Sequence, residues 1–254
     1  KERHIKELEM NLRDFQKDSG GDNFQRKLRV LGNEGMVKVV NAIQRDRDLK
    51  ENIIGPIGSL YKLREGFEKF EEPIKVAIGS VECTFLNIGG NSNHTNKVHD
   101  LLKQFDCRFP REVVRVGRSA PHRIVRFPPG HTTILDCIEI EEGSGRDAVF
   151  NFLVDRLGIE RTLALEKATD IENFRRADGK DYFAISDIKD ALCIEKNTRC
   201  GFREGTRFNN MQGHIRTKNY LFKDSTSLIQ AAKDEILEAK RDRQEFLRTA
   251  PNFD

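Results

Sequence analysis

The stretch TTILDCIEIEEGSGRDAVFNFLVDRLGIERTLALE, residues 132–166, contains in one run the elements from which the fold can be deduced. Apolar residues alternate at its start and predict a strand over 132–140. The run Gly143-Ser144-Gly145 follows and predicts a linker, because clustered glycine and serine residues are typical of loops. A helix is predicted next, over 146–157. The stretch therefore joins two blocks of structure near residue 145.

The helix predicted over 146–157 has one apolar face, formed by Val149, Phe150, Leu153, Val154 and Leu157. Gly158 is suited to cap its C-terminal end, because glycine adopts the left-handed conformation that such ends require. A strand is predicted to follow over 159–165. Strands and helices that alternate in two blocks predict an α/β domain of two lobes.

On the N-terminal side, residues 22–51 predict one or two helices that break at Gly32 and Gly35. Their core faces would be formed by Phe24, Leu28, Leu31, Val39, Val40 and Ile43. Pro56 cannot lie inside a helix, so a strand should start near Ile53. The region beyond it predicts helix 67–79, strand 83–88, a turn at 89–91, helix 94–106 and strands 112–117 and 123–127.

Both ends of the chain have apolar residues at helical spacing. The predicted coiled-coil seams are Ile5, Leu8, Leu12 and Phe15 near the start, and Ile229, Ala232, Ile236 and Ala239 near the end. Neither reaches the three to four heptads that usually identify a coiled coil, so two amphipathic helices lying on a core are the alternative. Their position on either side of one globular block favours an antiparallel pair of helices that leaves and re-enters the same coil.

Composition limits the possible functions. The 254 residues have a formal net charge of only +3, although a third of them are charged. No run of about 18 apolar residues and no secretory leader pattern is present, so a soluble intracellular protein is expected. The five cysteines are an odd number without a C-x-x-C pair, which argues against a disulfide framework or a zinc site and predicts free buried thiols.

Residues 53–222 resemble, in order and pattern, the hinge of a structural maintenance of chromosomes (SMC) protein, and most closely the sixth member of that family. The resemblance depends on FQRKLRVLGNEGMVKVVNAI (24–43), EPIKVAIGSVECTFLN (72–87), the 132–166 stretch and ADGKDYF (177–183). The sequence departs from the family pattern after Ser186, where residues 187–216 exceed the expected connection.

The resemblance implies a two-lobed SMC hinge with mixed sheets and helices, flanked by antiparallel coiled-coil helices. The corresponding boundaries are 1–52 for the coil end and helical entry, 53–145 for lobe I, 146–223 for lobe II and 224–254 for the returning helix. It also implies a heterodimer with the SMC five hinge, contact with single-stranded DNA, and a nuclear, chromosomal location. Glycines expected at the dimer interface are Gly89, Gly90, Gly201 and Gly205.

No catalytic residue, metal site or cofactor is expected. A phosphate loop requires Lys followed by Ser or Thr after its glycines, and neither residues 143–147 nor GFREGTR (201–207) supplies them. The family's ATPase heads lie at the far end of the coils. A nucleotide-dependent enzyme is therefore the weakest of three hypotheses.

Two basic clusters are the strongest functional signal. The first contains Arg108, Arg111, Arg115, Arg118, Arg123 and Arg126, and the second contains Arg199, Arg203, Arg207, Arg216 and Lys218. Several cations within reach of a phosphate backbone suffice for DNA binding without sequence preference. The alternative is a scaffold whose basic surface binds acidic partner proteins and not DNA.

Overall fold

The computed structural model describes residues 5–6, 9, 12, 23–107, 112–124, 131–143, 145–167, 170, 188–195, 198–203, 206–212 and 225–249. For residues 23, 198–203, 206–212, 225–228, 231–232 and 245–249 the description is limited to the backbone. The chain forms two compact units, residues 1–26 with 220–254, and residues 27–219.

Short strands and helices are interspersed in the described part of the chain. The helices are α1 (Asn23–Arg45), α2 (Arg47–Asn52), α3 (Glu71–Ile78), α4 (Ser92–Gln104), α5 (Ile134–Cys137), α6 (Arg146–Leu157) and α7 (Ser225–Thr249). The strands are β1 (Ile53–Ile54), β2 (Tyr61–Leu63), β3 (Phe85–Asn87), β4 (Val113–Arg115), β5 (Ile138–Ile140), β6 (Thr162–Leu165), β7 (Asp190–Cys193), β8 (Thr198–Arg203) and β9 (Thr206–Gln212).

The described strands form three small sheets. One has the order β1-β3-β4, antiparallel between β1 and β3 and parallel between β3 and β4. A second pairs β2 with β5 antiparallel. The third has the order β6-β7-β8-β9, in which only β6 and β7 are parallel. Mixed sheets with interspersed helices confirm the predicted α/β class.

Helix α1 is broken where the glycines predicted a break. Gly32 and Asn33 leave the helical conformation, and Asn33 has a φ of 59°. The Asn33 side chain accepts a hydrogen bond from the Gly35 amide at 2.7 Å, which stabilises the turn. Gly35 has no room for a side chain, because a Cβ there would meet the carbonyl oxygen of Phe105. Asn33, with a φ of 59° and a ψ of −163°, thus holds a conformation that is strained for any residue other than glycine.

The strand predicted over 132–140 is wrong in its first half. Thr133 makes one isolated bridge to Leu163, and residues 134–137 then form the short helix α5 before β5 begins at Ile138. The Thr133 hydroxyl accepts from the Asp136 amide at 3.2 Å, and the Asp136 carboxylate accepts from the Thr133 amide at 2.9 Å. This capping box stabilises a helical turn that apolar alternation could not reveal.

Other predicted boundaries shift by a few residues. Helix α3 begins at Glu71 rather than 67, after a 3-10 turn at 68–70, and Pro73 lies in its first turn, where proline is tolerated. Strand β6 begins at Thr162, again after a 3-10 turn. Gly158 has a φ of 60° and caps helix α6 as predicted.

The buried face of helix α6 differs from the prediction. Its buried residues are Ala148, Val149, Asn151, Phe152 and Leu153. Phe150, Val154 and Leu157 are only partly buried, whereas Asn151 is buried and bonds to Ser119 and to the His122 amide. The prediction assumed a single apolar face and therefore missed Asn151 and Phe152.

The core of the larger unit also encloses a network of polar groups. The Tyr61 hydroxyl donates to the Glu82 carboxylate at 2.9 Å, and Lys75 pairs with the same carboxylate at 3.2 Å. Lys27 of α1 donates to the Tyr61 carbonyl at 3.0 Å and pairs with Glu141 at 3.3 Å. Burial, with the neighbouring Glu82 charge, raises the pKa of Tyr61 well above its ordinary value.

Candidate nucleic-acid interface

Residues 113–124, here called the arginine segment, place three of the predicted DNA-binding residues on one stretch of exposed chain. Arg115 ends strand β4, and Arg118 and Arg123 lie in the irregular run that follows. All three side chains are exposed, and within the described part of the molecule Arg115 and Arg123 make no ion pair. Among the described strands, β4 lies at the edge of its sheet, since it pairs there only with β3. The strand predicted over 123–127 does not include Arg123 or Ile124, and 125–127 lie outside the described residues.

The buried Asn151 side chain of helix α6 makes three hydrogen bonds to this segment. Asn151 donates from Nδ2 to the Ser119 hydroxyl at 2.8 Å and to the Ala120 carbonyl at 3.0 Å. Its Oδ1 accepts from the His122 amide at 2.8 Å. Asn151 is only 6% exposed, so these bonds are protected from solvent. An irregular and exposed run of chain is thereby fixed against a regular helix.

Two further contacts hold the segment at its middle and its end. The imidazole Nε2 of His122 lies 3.0 Å from the Asp155 carboxylate of α6. The guanidinium of Arg118 donates to the Glu51 carbonyl, in the last turn of α2, at 3.0 Å. Arg118 therefore contributes one hydrogen bond to the fold and retains its positive charge on the surface.

A cleft of about 390 Å³ lies between the arginine segment and helix α6. Apolar side chains from both elements line it, together with Arg115, His122, Asp155 and Arg156. Arg156 faces Glu112 at 3.8 Å, a distance at which an exposed ion pair contributes little. The cleft thus combines an apolar lining with cations at its margin.

The remaining predicted DNA-binding residues are less well defined. Five of them, Arg108, Arg111, Arg126, Arg216 and Lys218, lie outside the described residues. The backbone places Arg199 and Arg203 on β8 and Arg207 on β9, where Phe202 is the register partner of Arg207. Strand β9 is an edge strand of its sheet within the described chain. Each basic cluster therefore has members on an edge strand.

The predicted interface glycines differ in their surroundings. A Cβ on Gly89 would collide with the Asn52 side chain, so this glycine serves a close contact inside the lobe. Gly90 has a φ of 71° with open space around it. Gly201 lies on β8 opposite Asp190 of β7, and Gly205 is outside the described residues. The interface role of all four stays a prediction.

The predicted seam residues can be placed in part. In the smaller unit Ile5 and Ile236 are buried, each 8% exposed, while Leu237 beside Ile236 is 55% exposed. Leu12, Ile229 and Ala239 are half-buried, and Lys240 of α7 pairs with Glu9 at 2.9 Å. Leu8, Phe15 and the side chain of Ala232 lie outside the described residues.

Among the described residues, no three His, Cys, Asp or Glu side chains group as metal ligands. None of the helices described is both long and apolar enough to cross a bilayer. Cys83, Cys107, Cys137 and Cys193 form no disulfide within the described residues, and burial raises the pKa of Cys83 and of Cys137 to about 12, which keeps both protonated at neutral pH.

No pattern in the sequence directly indicates the residues that build the cleft. Asn151, Phe152 and Arg156 lie on a helix that was assigned a single apolar face. One signal was present, since a polar Asn in the middle of an apolar helical face is unusual unless it is hydrogen-bonded there.

Comparison with known proteins identifies the fold. No protein-family model matches the chain. Structural maintenance of chromosomes protein 6 of Saccharomyces cerevisiae is 27% identical over 132 residues, which are 52% of this chain and 11% of that protein. The chain thus corresponds to a small part of the curated relative that it matches.

Solved structures agree with this similarity. The Smc5/6 hinge domain of S. pombe superposes with a TM-score of 0.58 at 19% identity, over 80% of this chain and 70% of that one. An SMC hinge domain of Geobacillus stearothermophilus covers 98% of both chains at 12% identity with a TM-score of 0.45. The fold assignment depends on the first of these. The chain has the fold of an SMC hinge domain, and its sequence resembles that of SMC protein 6, which confirms the family resemblance expected from the sequence.

Proposed function

We propose that this chain is the hinge module of an SMC six-like subunit, which pairs with the hinge of an SMC five partner and contacts single-stranded DNA through the arginine segment. The fold of the S. pombe Smc5/6 hinge domain is the observation that carries the proposal. The module is not an enzyme in this proposal. In this proposal the module acts on chromosomes in the nucleus, in chromosome maintenance, DNA repair and DNA recombination.

Open sheet edges support the pairing. Within the described residues, β4 and β9 each have a hydrogen-bonded neighbour on one side only. Strand β6, by contrast, is partly covered by the bridge from Thr133. An exposed edge offers unpaired backbone groups to a strand of another chain, which gives affinity with little loss of entropy. The glycines predicted at the interface remain part of this proposal.

Pairing is tested by mixing this chain with an SMC five hinge and measuring the mass of the product. A one-to-one complex at micromolar concentration is expected, heavier than the 29.2 kDa chain by one partner. An unchanged elution position on mixing would contradict the proposal. Self-association as tight as the mixed pairing would also contradict it.

DNA contact is tested by reversing charge on the arginine segment. Changing Arg115, Arg118 and Arg123 to Glu should weaken binding to unrelated single strands about equally, because phosphate contacts do not distinguish sequences. The salt dependence should also flatten by roughly 0.7 log units per lost phosphate contact. Lys38, Lys233 and Arg241 are exposed elsewhere, and changing them to Glu gives a control with the same change in net charge.

Two results would redirect the proposal. If the arginine-segment variant keeps both its affinity and its salt slope, the DNA site belongs to the second cluster, Arg199, Arg203, Arg207, Arg216 and Lys218. If both clusters can be reversed in charge without effect on DNA binding, the scaffold that binds acidic proteins replaces the proposed DNA contact. Binding to DNA and binding to an acidic protein both weaken as the salt concentration rises, so salt dependence alone does not tell the two partners apart. The experiment must therefore use DNA itself as the ligand.

The terminal helices are proposed to form the antiparallel coil end. Ile236→Asp should lower the helix content of the smaller unit, because it places a charge at a buried seam position. Leu237→Asp is the matched control, since Leu237 is exposed. Circular dichroism together with urea unfolding of the larger unit separates a local loss from a global one. Global unfolding by Ile236→Asp alone would assign this helix to the domain core.

A further inference from the structure

The cleft beside the arginine segment has the composition of a small ligand site. Its volume of about 390 Å³ falls within the range of roughly 300–1,000 Å³ usual for small-molecule pockets. Val114 and Val116 supply one wall, and Ala148 and Phe152 of helix α6 supply the other. Such walls favour a flat apolar group over a strongly hydrated one.

Charge at the margin is unevenly neutralised. Asp155 is occupied by His122 at 3.0 Å, and Glu112 lies near Arg156 at 3.8 Å. Arg115 is exposed and has no ion pair among the described residues, so its guanidinium is available to an anion at this margin. A ligand that joins an apolar ring to flanking anions complements this arrangement.

Asn151 helps to form the cleft, but its amide group does not recognise a ligand there. Both of its amide hydrogens are donated to the arginine segment, to Ser119 and to Ala120. Its oxygen accepts from the His122 amide. Because the Asn151 amide is already used in these hydrogen bonds, it does not recognise the edge of a base from the floor of the cleft.

We propose that the cleft is a seat for one unstacked base of a single strand, with the adjacent phosphates on Arg115 and Arg156. The proposal rests on the DNA contact proposed above and adds to it a specific subsite. A duplex keeps its bases stacked and paired, so it can reach the arginines but not the seat. The seat therefore favours single strands without preferring a sequence.

The unmodified chain, alone and in its mixed complex, tests the seat with two oligonucleotides of equal length. One is oligo-dT, and the other carries abasic sites throughout, so that the number of phosphates is the same. Binding of the abasic strand should be about tenfold weaker, with an unchanged salt slope. Equal affinity for the two strands would overturn the seat. The charge-reversal result above would still stand or fall by itself, because it reports phosphate contacts only.

A variant of the wall gives an independent measurement. Ala148→Met fills the cleft without changing charge and should bring oligo-dT binding down to the level of the abasic strand. Ala77→Met, at a half-buried position of helix α3 that does not line the cleft, is the matched control. Unchanged discrimination in a folded Ala148→Met protein would overturn the seat.

Removal of the Asn151 hydrogen bonds provides a second variant that does not depend on filling the cleft. Asn151→Leu keeps the approximate size of the side chain and should expose the His122 amide to hydrogen exchange while it abolishes discrimination against the abasic strand. Faster exchange with discrimination retained would overturn the seat. An oligoglutamate that displaces oligo-dT equally well from the unmodified protein and from Ala148→Met would assign the cleft margin to acidic peptides instead.

Discussion

The buried network around Glu82 and the arginine segment use charge in opposite ways. At Glu82, the Tyr61 hydroxyl and the Lys75 ammonium lie 2.9 Å and 3.2 Å from the carboxylate, and the Lys75 and Glu82 side chains are only 19% and 5% exposed. In the arginine segment, Arg115 and Arg123 are exposed, and within the described residues neither has an ionic partner. The difference shows that neighbours decide whether a charge stabilises the fold or remains available to a ligand.

Removal of a buried partner should have the largest effect. Glu82→Ala leaves the Lys75 ammonium and the Tyr61 hydroxyl without their shared carboxylate, and should lower the free energy of unfolding by about 3 kcal/mol. Urea unfolding measures this. Glu139→Ala is the control, because Glu139 pairs with Lys62 on the surface and should cost less than about 1 kcal/mol. Similar losses in the two variants would contradict the contrast between buried and exposed charge.

The pH dependence of Cys83 should give a smaller effect. Burial and the Glu82 charge raise the pKa of this thiol from 9.0 to about 12. The folded state therefore favours the neutral thiol, a contribution fully present below pH 9 and lost as the pH rises from 9 towards 12. Relative to Cys83→Ala, the unmodified protein should lose on the order of 1 kcal/mol of unfolding free energy between pH 9 and 10. Parallel stability curves for the two proteins from pH 8 to 10 would contradict this prediction.

The exposed side of the comparison predicts almost no change in stability. Arg123→Glu should alter the free energy of unfolding by less than about 0.5 kcal/mol, because the side chain is exposed and makes no ion pair within the described chain. Single-strand affinity should nevertheless fall several-fold. A destabilisation comparable to that of Glu82→Ala would mean that the arginine segment is structural rather than available.

Sequence reasoning recovered what local patterns encode. The break in α1, the helix over 146–157 and the Gly158 cap follow from glycine conformation and apolar spacing. The α5 turn was missed because one hydrogen-bonded pair, Thr133 with Asp136, outweighed apolar alternation. A Thr-x-x-Asp pattern was visible there, and it is the acidic variant of a known helix-start signal.

The cleft was beyond sequence reasoning for a different reason. It depends on two stretches about thirty residues apart, the arginine segment and helix α6, which meet through Asn151. Periodicity identifies which side of a helix is apolar. It does not identify which distant, irregular segment of the chain packs on that helix. Basic residues could be found by counting, while the wall of Ala148 and Phe152 required the tertiary contact.

Helix α1 makes one close contact with the rest of the larger unit before its bend and another after it. Before the bend, Lys27 donates a hydrogen bond to the Tyr61 carbonyl of strand β2. After it, Gly35 sits against the Phe105 carbonyl, at the turn that leads from α4 towards β4. One bent helix therefore contacts two separate parts of the larger unit, the β2–β5 sheet on one side of its bend and the turn after α4 on the other.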